Sequence, residues 1–175
     1  IIYIYMKNIY KIAIIGCGRI SGHHYRSIQS VKGLQIVAVC DSVDQRAKDY
    51  SNEFGIKYYF NYKDMFNELP EIDIAVIATP SGMHFEHAME VMDVYKKSVI
   101  IEKPTFMRPD QLNTAYDKAE ELGLNIFPVF QNRYNKAVQR VKKSIINNEL
   151  GDIRIMNVRL RWCRPQRYYD LSKWR

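Results

Sequence analysis

Short apolar segments alternate with amphipathic segments along the first 130 residues. Six apolar segments are predicted as strands, at residues 11–16, 34–41, 56–60, 73–78, 98–101 and 124–130. Helices are predicted after the first, second, fourth and fifth of them. In the last of these helices, apolar residues recur at helical spacing from Leu112 to Leu122, and Gly123 follows where a C-cap is expected. Apolar strands that alternate with helices are typical of a parallel sheet covered on both faces. The sequence therefore predicts an α/β fold with a doubly wound Rossmann sheet.

The pattern changes after the sixth predicted strand. Apolar spacing predicts a helix near residues 137–145. Residues 153–162 alternate like a long, half-exposed strand whose apolar phase switches after Ile155, which predicts a β-bulge. A half-exposed strand after six buried ones indicates a new layer. We therefore predict a Rossmann domain over residues 6–130 and the truncated start of an α+β substrate domain over residues 131–175.

Composition indicates a globular chain. Apolar residues make up 47% and charged residues 26% of the sequence, and no segment approaches the roughly 18 apolar residues that a membrane-spanning helix needs. Residues 1–5 are too short for a signal peptide, and because Met6 follows them, we interpret them as read-through from upstream of the natural start. The three cysteines lack C-x-x-C spacing, which indicates reduced thiols, a cytoplasmic location and no structural zinc.

Charge is distributed unevenly along the chain. Residues 1–130 carry 14 Lys or Arg against 16 Asp or Glu, whereas residues 131–175 carry 12 against 3. A basic tail can bind nucleic acid or another polyanion; alternatively, its acidic partners lie in sequence outside this chain. The arginines near residues 154–161 alternate with apolar residues and belong to no recognised nucleic-acid-binding fold, so no nucleic-acid partner is expected.

The segment GCGRIS at residues 16–21 joins the first predicted strand to the first predicted helix. Gly16 permits a tight turn, and Gly18 lets the backbone approach a pyrophosphate. The amides of Arg19 and Ile20, at the positive end of the helix, would then donate to the phosphates. The segment predicts a dinucleotide-binding turn; the alternative is an ordinary strand-to-helix connection.

Asp41 ends the second predicted strand, 25 residues after Gly16. A carboxylate at this position accepts hydrogen bonds from the adenine ribose and repels a 2′-phosphate, which favours NAD over NADP as the cofactor. The alternative is a helix-capping aspartate.

The fourth and fifth predicted strands end in polar segments, TPSGMH at residues 79–84 and EKP at residues 102–104. Ligands of open α/β sheets bind beyond the carboxyl ends of the strands, so both segments are expected to face one crevice. There Lys103 could exchange a proton with a hydroxyl that is being oxidised, and Glu102 could orient the lysine or contact the nicotinamide ribose. The alternative is an ion pair on the surface.

The motifs at residues 16–21, 78–84, 102–104 and 131–135 together resemble those of the Gfo/Idh/MocA oxidoreductases, and the resemblance covers the chain from about residue 11 onward. It implies NAD as the cofactor and Lys103 as the catalytic lysine of the E-K-P motif. It also implies further cofactor contacts, by Thr79, Pro80, His84, Glu102 and Gln131.

The segments RWCRPQRYYD at residues 161–170 and KWR at residues 173–175 are similar to one branch of this family. That branch oxidises the 3-hydroxyl of UDP-N-acetylglucosamine uronate or a related sugar nucleotide. The resemblance implies that the substrate meets Lys103, Asn132, Arg133 and Tyr134. Because arginine matches carboxylates and phosphates with its planar fork, the substrate's anionic groups are assigned to Arg164, Tyr168, Tyr169 and Arg175. The tyrosines alternatively belong to the core of the second domain.

The family's catalytic histidine lies beyond residue 175, so the chain is interpreted as an N-terminal fragment. His23 and His24 are expected to be exposed or packing residues, and HFEH at residues 84–87 lacks the spacing of a zinc helix, so no metal is expected. We predict an NAD-dependent sugar or sugar-nucleotide dehydrogenase with a small-molecule substrate and no membrane partner, homo-oligomeric at full length. The alternatives are a non-catalytic NAD-binding fragment and another sugar or polyol dehydrogenase of the family.

Overall fold

The computed structural model describes residues 9–170, and their strands form one parallel sheet. The strands are β1 (Tyr10–Ile15), β2 (Leu34–Cys40), β3 (Lys57–Tyr59), β4 (Ile74–Ile77), β5 (Ser98–Ile101) and β6 (Ile126–Pro128). Their order is β3-β2-β1-β4-β5-β6, and every neighbouring pair is parallel. The predicted α/β fold with a doubly wound Rossmann sheet is confirmed. The segment interpreted as read-through lies outside the described residues.

Helices connect successive strands. They are α1 (Ser21–Gln29), α2 (Asp44–Phe54), α3 (Tyr62–Glu68), α4 (His84–Asp93) and α5 (Pro109–Leu122), with a 3-10 turn at Ser81–Met83 before α4. The apolar pattern does not predict α3, because its seven residues are too few to show a helical repeat. Its start is nonetheless marked by Asn61, whose side chain accepts a hydrogen bond from Lys63 N at 2.9 Å.

Both faces of the sheet are buried, because successive side chains of a strand point to opposite faces. In β1, Ile12 and Ile14 pack in one apolar cluster with residues of α1, whereas Ala13 and Ile15 pack in another with residues of α3, α4 and α5. These four side chains are at most 3% exposed. Burial on both faces explains why the strands are apolar throughout instead of alternating.

The described residues divide after Val129 into two compact units. The second unit contains the 3-10 turn Gln131–Tyr134, the helix α6 (Lys136–Ile146), which the apolar spacing predicts, and the short helix α7 (Gln166–Asp170). Asn135 caps α6, since its side chain accepts a hydrogen bond from Ala137 N at 2.9 Å.

The predicted strand at residues 153–162, with its β-bulge, is wrong for this chain. The structure has no strand in that segment, and Ile155, Val158 and Leu160 are 80–82% exposed. A strand depends on hydrogen bonds to a neighbour, and no other segment within residues 9–170 pairs with this one. The described part of the second unit is therefore helical or irregular, and the expected α+β character is not observed there.

Candidate dinucleotide site

The carboxyl ends of three central strands meet in register at one edge of the sheet. Ile15 of β1 pairs with Ile77 of β4, which pairs with Ile101 of β5. The ladder continues one residue further, because Ala78 N donates to Ile15 O at 2.8 Å and Glu102 N donates to Ile77 O at 3.0 Å. The strand order reverses between β1 and β4, and ligands of doubly wound sheets bind in the crevice at such a reversal.

Gly16 follows β1 directly and turns the chain toward α1. Its φ is +100°, and a Cβ added here would lie 2.6 Å from Ala78 O and 3.0 Å from Thr79 N. Its amide donates to Cys40 O at 2.7 Å, which holds the turn against β2. Glycine is therefore the residue that fits this turn without displacing the end of β4.

Gly18 lies on an open side of the same turn. A Cβ added to Gly18 would have no atom of residues 9–170 within 4 Å, so the described residues leave the backbone open to a ligand. Arg19 and Ile20 follow, and α1 then begins at Ser21 with no acidic residue in its first turn and no side-chain cap from a described residue. The positive end of the helix dipole is thus accessible to an anion. These features fit the pyrophosphate of a dinucleotide.

A chain of hydrogen bonds supports the glycine turn from the side of α2. Ser21 Oγ donates to Gly18 O, and Tyr50 OH of α2 donates to Ser21 Oγ at 2.8 Å. Ser21 is fully buried. The glycine motif predicts a small residue at position 21, but no sequence motif predicts the contact with Tyr50, which depends on how α2 packs.

Asp41 connects the glycine turn to the end of β2. Its Oδ2 accepts a hydrogen bond from Cys17 N at 2.8 Å, and its Oδ1 accepts one from Val43 N at 2.8 Å, just before α2. The carboxylate therefore fixes the turn that leads into α2, but it does not cap that helix, whose N-cap position is Val43. It keeps further lone pairs for ribose hydroxyls. Burial, and then the charge of Asp41, raise the pKa of Cys17 to about 12, so its thiol stays neutral in the turn.

Two histidines of α4 hold the segment that follows β4. His84 is 1% exposed, with Nδ1 2.8 Å from Pro104 O and Nε2 2.9 Å from Thr79 O. His87 Nδ1 lies 3.0 Å from Thr79 Oγ1, and burial holds the pKa of His87 below its ordinary value. Thr79 is half-buried and Pro80 is exposed. Both ring nitrogens of His84 face carbonyl oxygens, so this ring supports the two segments and offers no free nitrogen to a cofactor.

Glu102 is a buried carboxylate at the end of β5, 6% exposed. Its Oε1 lies 2.8 Å from His24 Nε2, and its Oε2 accepts a hydrogen bond from Lys103 N at 3.1 Å. Burial alone would raise the pKa of Glu102, but the hydrogen bonds from His24 and from the Lys103 amide outweigh it and hold the pKa below its ordinary value. Glu102 is therefore ionised at neutral pH.

Lys103 is exposed at the same strand end. Its ammonium group makes no ion pair with any residue in the range 9–170. The alternative of an ion pair on the surface does not describe this segment, because Glu102 is buried and bonds to the backbone of Lys103.

His24 makes the contact that sequence reasoning missed. It was expected to be exposed or to contribute only packing, and His23 is indeed exposed, but His24 is partly buried and hydrogen-bonded to Glu102. Its position does carry a signal, because it lies three residues after Ser21 and four before Ile28, both of which are buried. Helical spacing thus places His24 beside the packed face of α1.

The remaining candidate residues belong to the second unit and lie at its surface. The 3-10 turn consists of four exposed residues, Gln131, Asn132, Arg133 and Tyr134. The guanidinium of Arg164 lies 4.6 Å from the Trp162 ring centroid and 4.5 Å from that of Tyr168. Tyr168 meets Tyr169 edge-on at 5.3 Å, and neither is buried, so they form no core within the described residues. Arg175 lies outside the described residues.

Across residues 9–170, no group of three or more His, Cys, Asp or Glu side chains could hold a metal ion. Within the same range, no helix combines the length and apolar character needed to cross a membrane. The three cysteines are free thiols, two of them buried and Cys163 exposed.

Comparison with known proteins identifies the family. Residues 10–130 match the Gfo/Idh/MocA oxidoreductase family, which is described by its NAD-binding Rossmann fold. The chain belongs to this family. Its first unit is the family's NAD-binding domain, and the prediction of NAD as the cofactor is confirmed.

Two solved structures resemble the chain over almost its whole length. The WlbA dehydrogenase of Bordetella pertussis, in complex with NADH and UDP-GlcNAcA, is 33% identical with a TM-score of 0.89, over 95% of this chain and 51% of that one. The WlbA dehydrogenase of Chromobacterium violaceum, with the same two ligands, is 28% identical with a TM-score of 0.90, over 100% and 50% of the two chains.

Curated relatives act on other sugars and polyols. Glucose-6-phosphate 3-dehydrogenase of Bacillus subtilis is 32% identical over 143 residues, which are 82% of this chain and 40% of that protein. The scyllo-inositol 2-dehydrogenase (NAD(+)) of the same organism is 27% identical over 147 residues, 83% of this chain and 43% of that protein. The chain thus spans about half the length, or less, of the proteins that it matches.

Proposed function

We propose that this chain is the NAD-binding part of a dehydrogenase that oxidises the 3-hydroxyl of a UDP-N-acetylhexosamine or its uronate. The observation that carries the proposal is the arrangement at the carboxyl edge of the sheet. There the exposed ammonium of Lys103 follows the buried, ionised Glu102 at the end of β5, in register with the strand that leads into the glycine turn.

The residues of this edge suit a hydroxyl oxidation. Bound NAD supplies a nicotinamide ring that can accept a hydride. The glycine turn and the start of α1 would hold the pyrophosphate, and Asp41 would hold the adenine ribose. As a neutral amine, Lys103 would accept the proton of the sugar hydroxyl. As an ammonium, it would stabilise the alkoxide as it develops, since a cation next to a forming oxyanion lowers the barrier.

The extent of the two WlbA matches supports a sugar-nucleotide substrate. Those matches cover 95% and 100% of the chain and so include most or all of the second unit. The second unit presents exposed arginines and tyrosines, among them Arg133, Arg164 and Tyr169. Guanidinium groups can bind diphosphates and carboxylates through two parallel hydrogen bonds.

Replacement of the lysine tests the proposal. In the natural full-length protein, Lys103→Ala is expected to lower kcat about 100-fold or more, because a positioned acid–base group contributes roughly that much, while NAD affinity changes little. Turnover is measured as NADH formation with UDP-GlcNAcA, with glucose-6-phosphate and scyllo-inositol run in parallel.

Lys97→Ala is the matched control, since Lys97 precedes the same strand at its opposite end, and its turnover should remain that of the parent. Undiminished turnover in Lys103→Ala would remove the lysine from the mechanism. NADH formation with the inositol or with glucose-6-phosphate, but not with the UDP-sugar, would contradict the proposed substrate. The assignment as a dehydrogenase would still hold.

A second candidate function is NAD binding without catalysis by the chain as given. The observation in its favour is that the chain spans only 40–51% of the two curated relatives and two solved structures described above. The same assay separates the two functions. If the 175-residue chain titrates with NAD but forms no NADH with any of the three substrates, it acts as a binding module.

A further inference from the structure

The contact between His24 and Glu102 joins two elements at the carboxyl edge of the sheet. His24 lies in the first turn of α1, just after the glycine turn, and Glu102 directly follows β5. His24 Nε2 lies 2.8 Å from Glu102 Oε1, and the two side chains are only 13% and 8% exposed. A hydrogen bond to an ionised carboxylate that is shielded from water is stronger than one between neutral groups at the surface.

The same carboxylate holds the backbone of Lys103. Glu102 Oε2 accepts from Lys103 N at 3.1 Å, while the backbone amide of Glu102 is fixed in the sheet by Ile77 O at 3.0 Å. An ionised carboxylate only accepts hydrogen bonds, so His24 donates through its Nε2–H. Imidazole, carboxylate and lysine amide thus form one continuous chain of hydrogen bonds.

We infer that His24 is a positioning residue, which acts through Glu102 to fix the Lys103 backbone relative to the helix that begins at the glycine turn. The inference rests on the proposed function, because it supplies the support for the lysine assigned there. It follows that the glycine turn and Lys103 are rigidly connected through His24 and Glu102. A displacement of about 1 Å in such a group can cost about 100-fold in rate.

Three variants of the natural full-length protein test this inference. His24→Ala removes the donor to Glu102. His24→Gln restores an amide N–H at about the reach of histidine Nε2, without a titratable ring. His23→Ala is the matched control, because His23 is the neighbouring residue on the same helix and is exposed.

The first measurement is of turnover. His24→Ala is expected to lower kcat by about 10- to 100-fold. The Kd for NAD is expected to stay within about threefold of the parent value. His24→Gln is expected to recover most of the lost kcat, and His23→Ala should match the parent. Loss of NAD affinity or of thermal stability alone, with kcat unchanged, would overturn the inference and leave His24 a structural residue.

The second measurement does not depend on activity or on bound cofactor. Hydrogen exchange at the Lys103 amide, followed by NMR in the protein without NAD, should be faster in His24→Ala than in the parent, because the acceptor Glu102 is no longer held. The exchange rate should return toward the parent value in His24→Gln. An unchanged exchange rate in His24→Ala would overturn the inference.

The pH dependence supplies a third readout. The hydrogen bond from His24 lowers the pKa of Glu102, so its removal raises that pKa, and the carboxylate then becomes protonated at a higher pH. The acid limb of the kcat profile should therefore move to higher pH in His24→Ala and stay near the parent position in His24→Gln. An acid limb that does not move in His24→Ala contradicts the link through Glu102.

Different results would contradict the proposed function and the role of His24. Undiminished turnover in Lys103→Ala removes the lysine from the mechanism, and a parent protein that forms no NADH with any of the three substrates contradicts the proposed function, whatever the His24 variants do. A large loss in Lys103→Ala together with parental kcat, amide exchange and pH profile in His24→Ala sinks this inference alone.

Discussion

Gly16 and Gly18 lie two residues apart in one turn, but a methyl group would meet opposite surroundings at the two positions. At Gly16 it would come within 3.0 Å of backbone atoms of Ala78 and Thr79, whereas at Gly18 it would meet no described residue within 4 Å. The fold therefore requires the first glycine, and the approach of a pyrophosphate requires the second.

Alanine at each position should separate these two roles. Gly16→Ala is expected to lower the free energy of unfolding by more than about 1 kcal/mol, because its φ is positive and its Cβ would clash with backbone. Gly18→Ala is expected to leave that free energy within about 0.5 kcal/mol and to weaken NAD binding about tenfold, or ~1.4 kcal/mol. Urea unfolding and calorimetric titration with NAD measure the two effects. A stable Gly16→Ala variant, or an unchanged NAD affinity in Gly18→Ala, would contradict this division.

Individual site residues differ in how far the sequence could predict them. Gly16, Gly18 and Asp41 follow strand ends, where local geometry and spacing alone indicate a dinucleotide. The contact of His24 with Glu102 joins residues 78 positions apart, so no local pattern contains it. Helical spacing marks His24 as close to the packed face of α1, but its partner depends on how α1 lies against the sheet.

The same contrast holds for whole elements. The six strands could be predicted because each central strand is buried on both faces and is apolar throughout. α3 is only seven residues long and shows no periodicity. Residues 153–162 have the alternation of a strand, yet they form none. A strand needs a neighbouring strand to pair with, and the alternation within residues 153–162 does not show whether such a neighbour exists.

The first residue of α4 connects three elements. His84 lies with its two ring nitrogens 2.8 and 2.9 Å from the carbonyl oxygens of Pro104 and Thr79, so α4 supports the segments that follow both β4 and β5. The buried ring is thus a structural bridge between the two segments that carry the predicted nicotinamide contacts.

His84→Ala is expected to lower the free energy of unfolding by at least about 2 kcal/mol, because the variant loses both the packing of a ring that is 1% exposed and its hydrogen bonding to the two segments. His87→Ala on the same helix is the matched control and should cost about 1 kcal/mol, since it removes one hydrogen bond to the half-buried Thr79. Denaturant unfolding of both variants gives the comparison. Equal losses in the two variants would show that His84 is no bridge.

At the scale of the whole chain, the two units differ in charge and in burial. Residues 1–130 carry a net charge of −2 and residues 131–175 carry +9. The sheet of the first unit is covered by its own helices on both faces, whereas Ile155, Val158, Leu160 and Trp162 of the second unit are 71–82% exposed. Apolar burial is the main favourable term in folding, so the stability of the chain should reside in the first unit.

A polypeptide that ends at Val129 tests this distribution of stability. It keeps all six strands and α1 to α5, so it is expected to unfold cooperatively, with a midpoint within a few degrees of the 175-residue chain. Of the predicted cofactor contacts it lacks only Gln131, so it is expected to bind NAD with a Kd within about tenfold, or ~1.4 kcal/mol. Circular dichroism on heating and calorimetric titration measure both quantities. The polypeptide of residues 130–175 is the control, and it should show no cooperative transition, because too little apolar surface is buried to offset the entropy of ordering. If the first polypeptide were unfolded, the NAD-binding domain would depend on contacts from the second unit, and its sheet would not be a self-sufficient core.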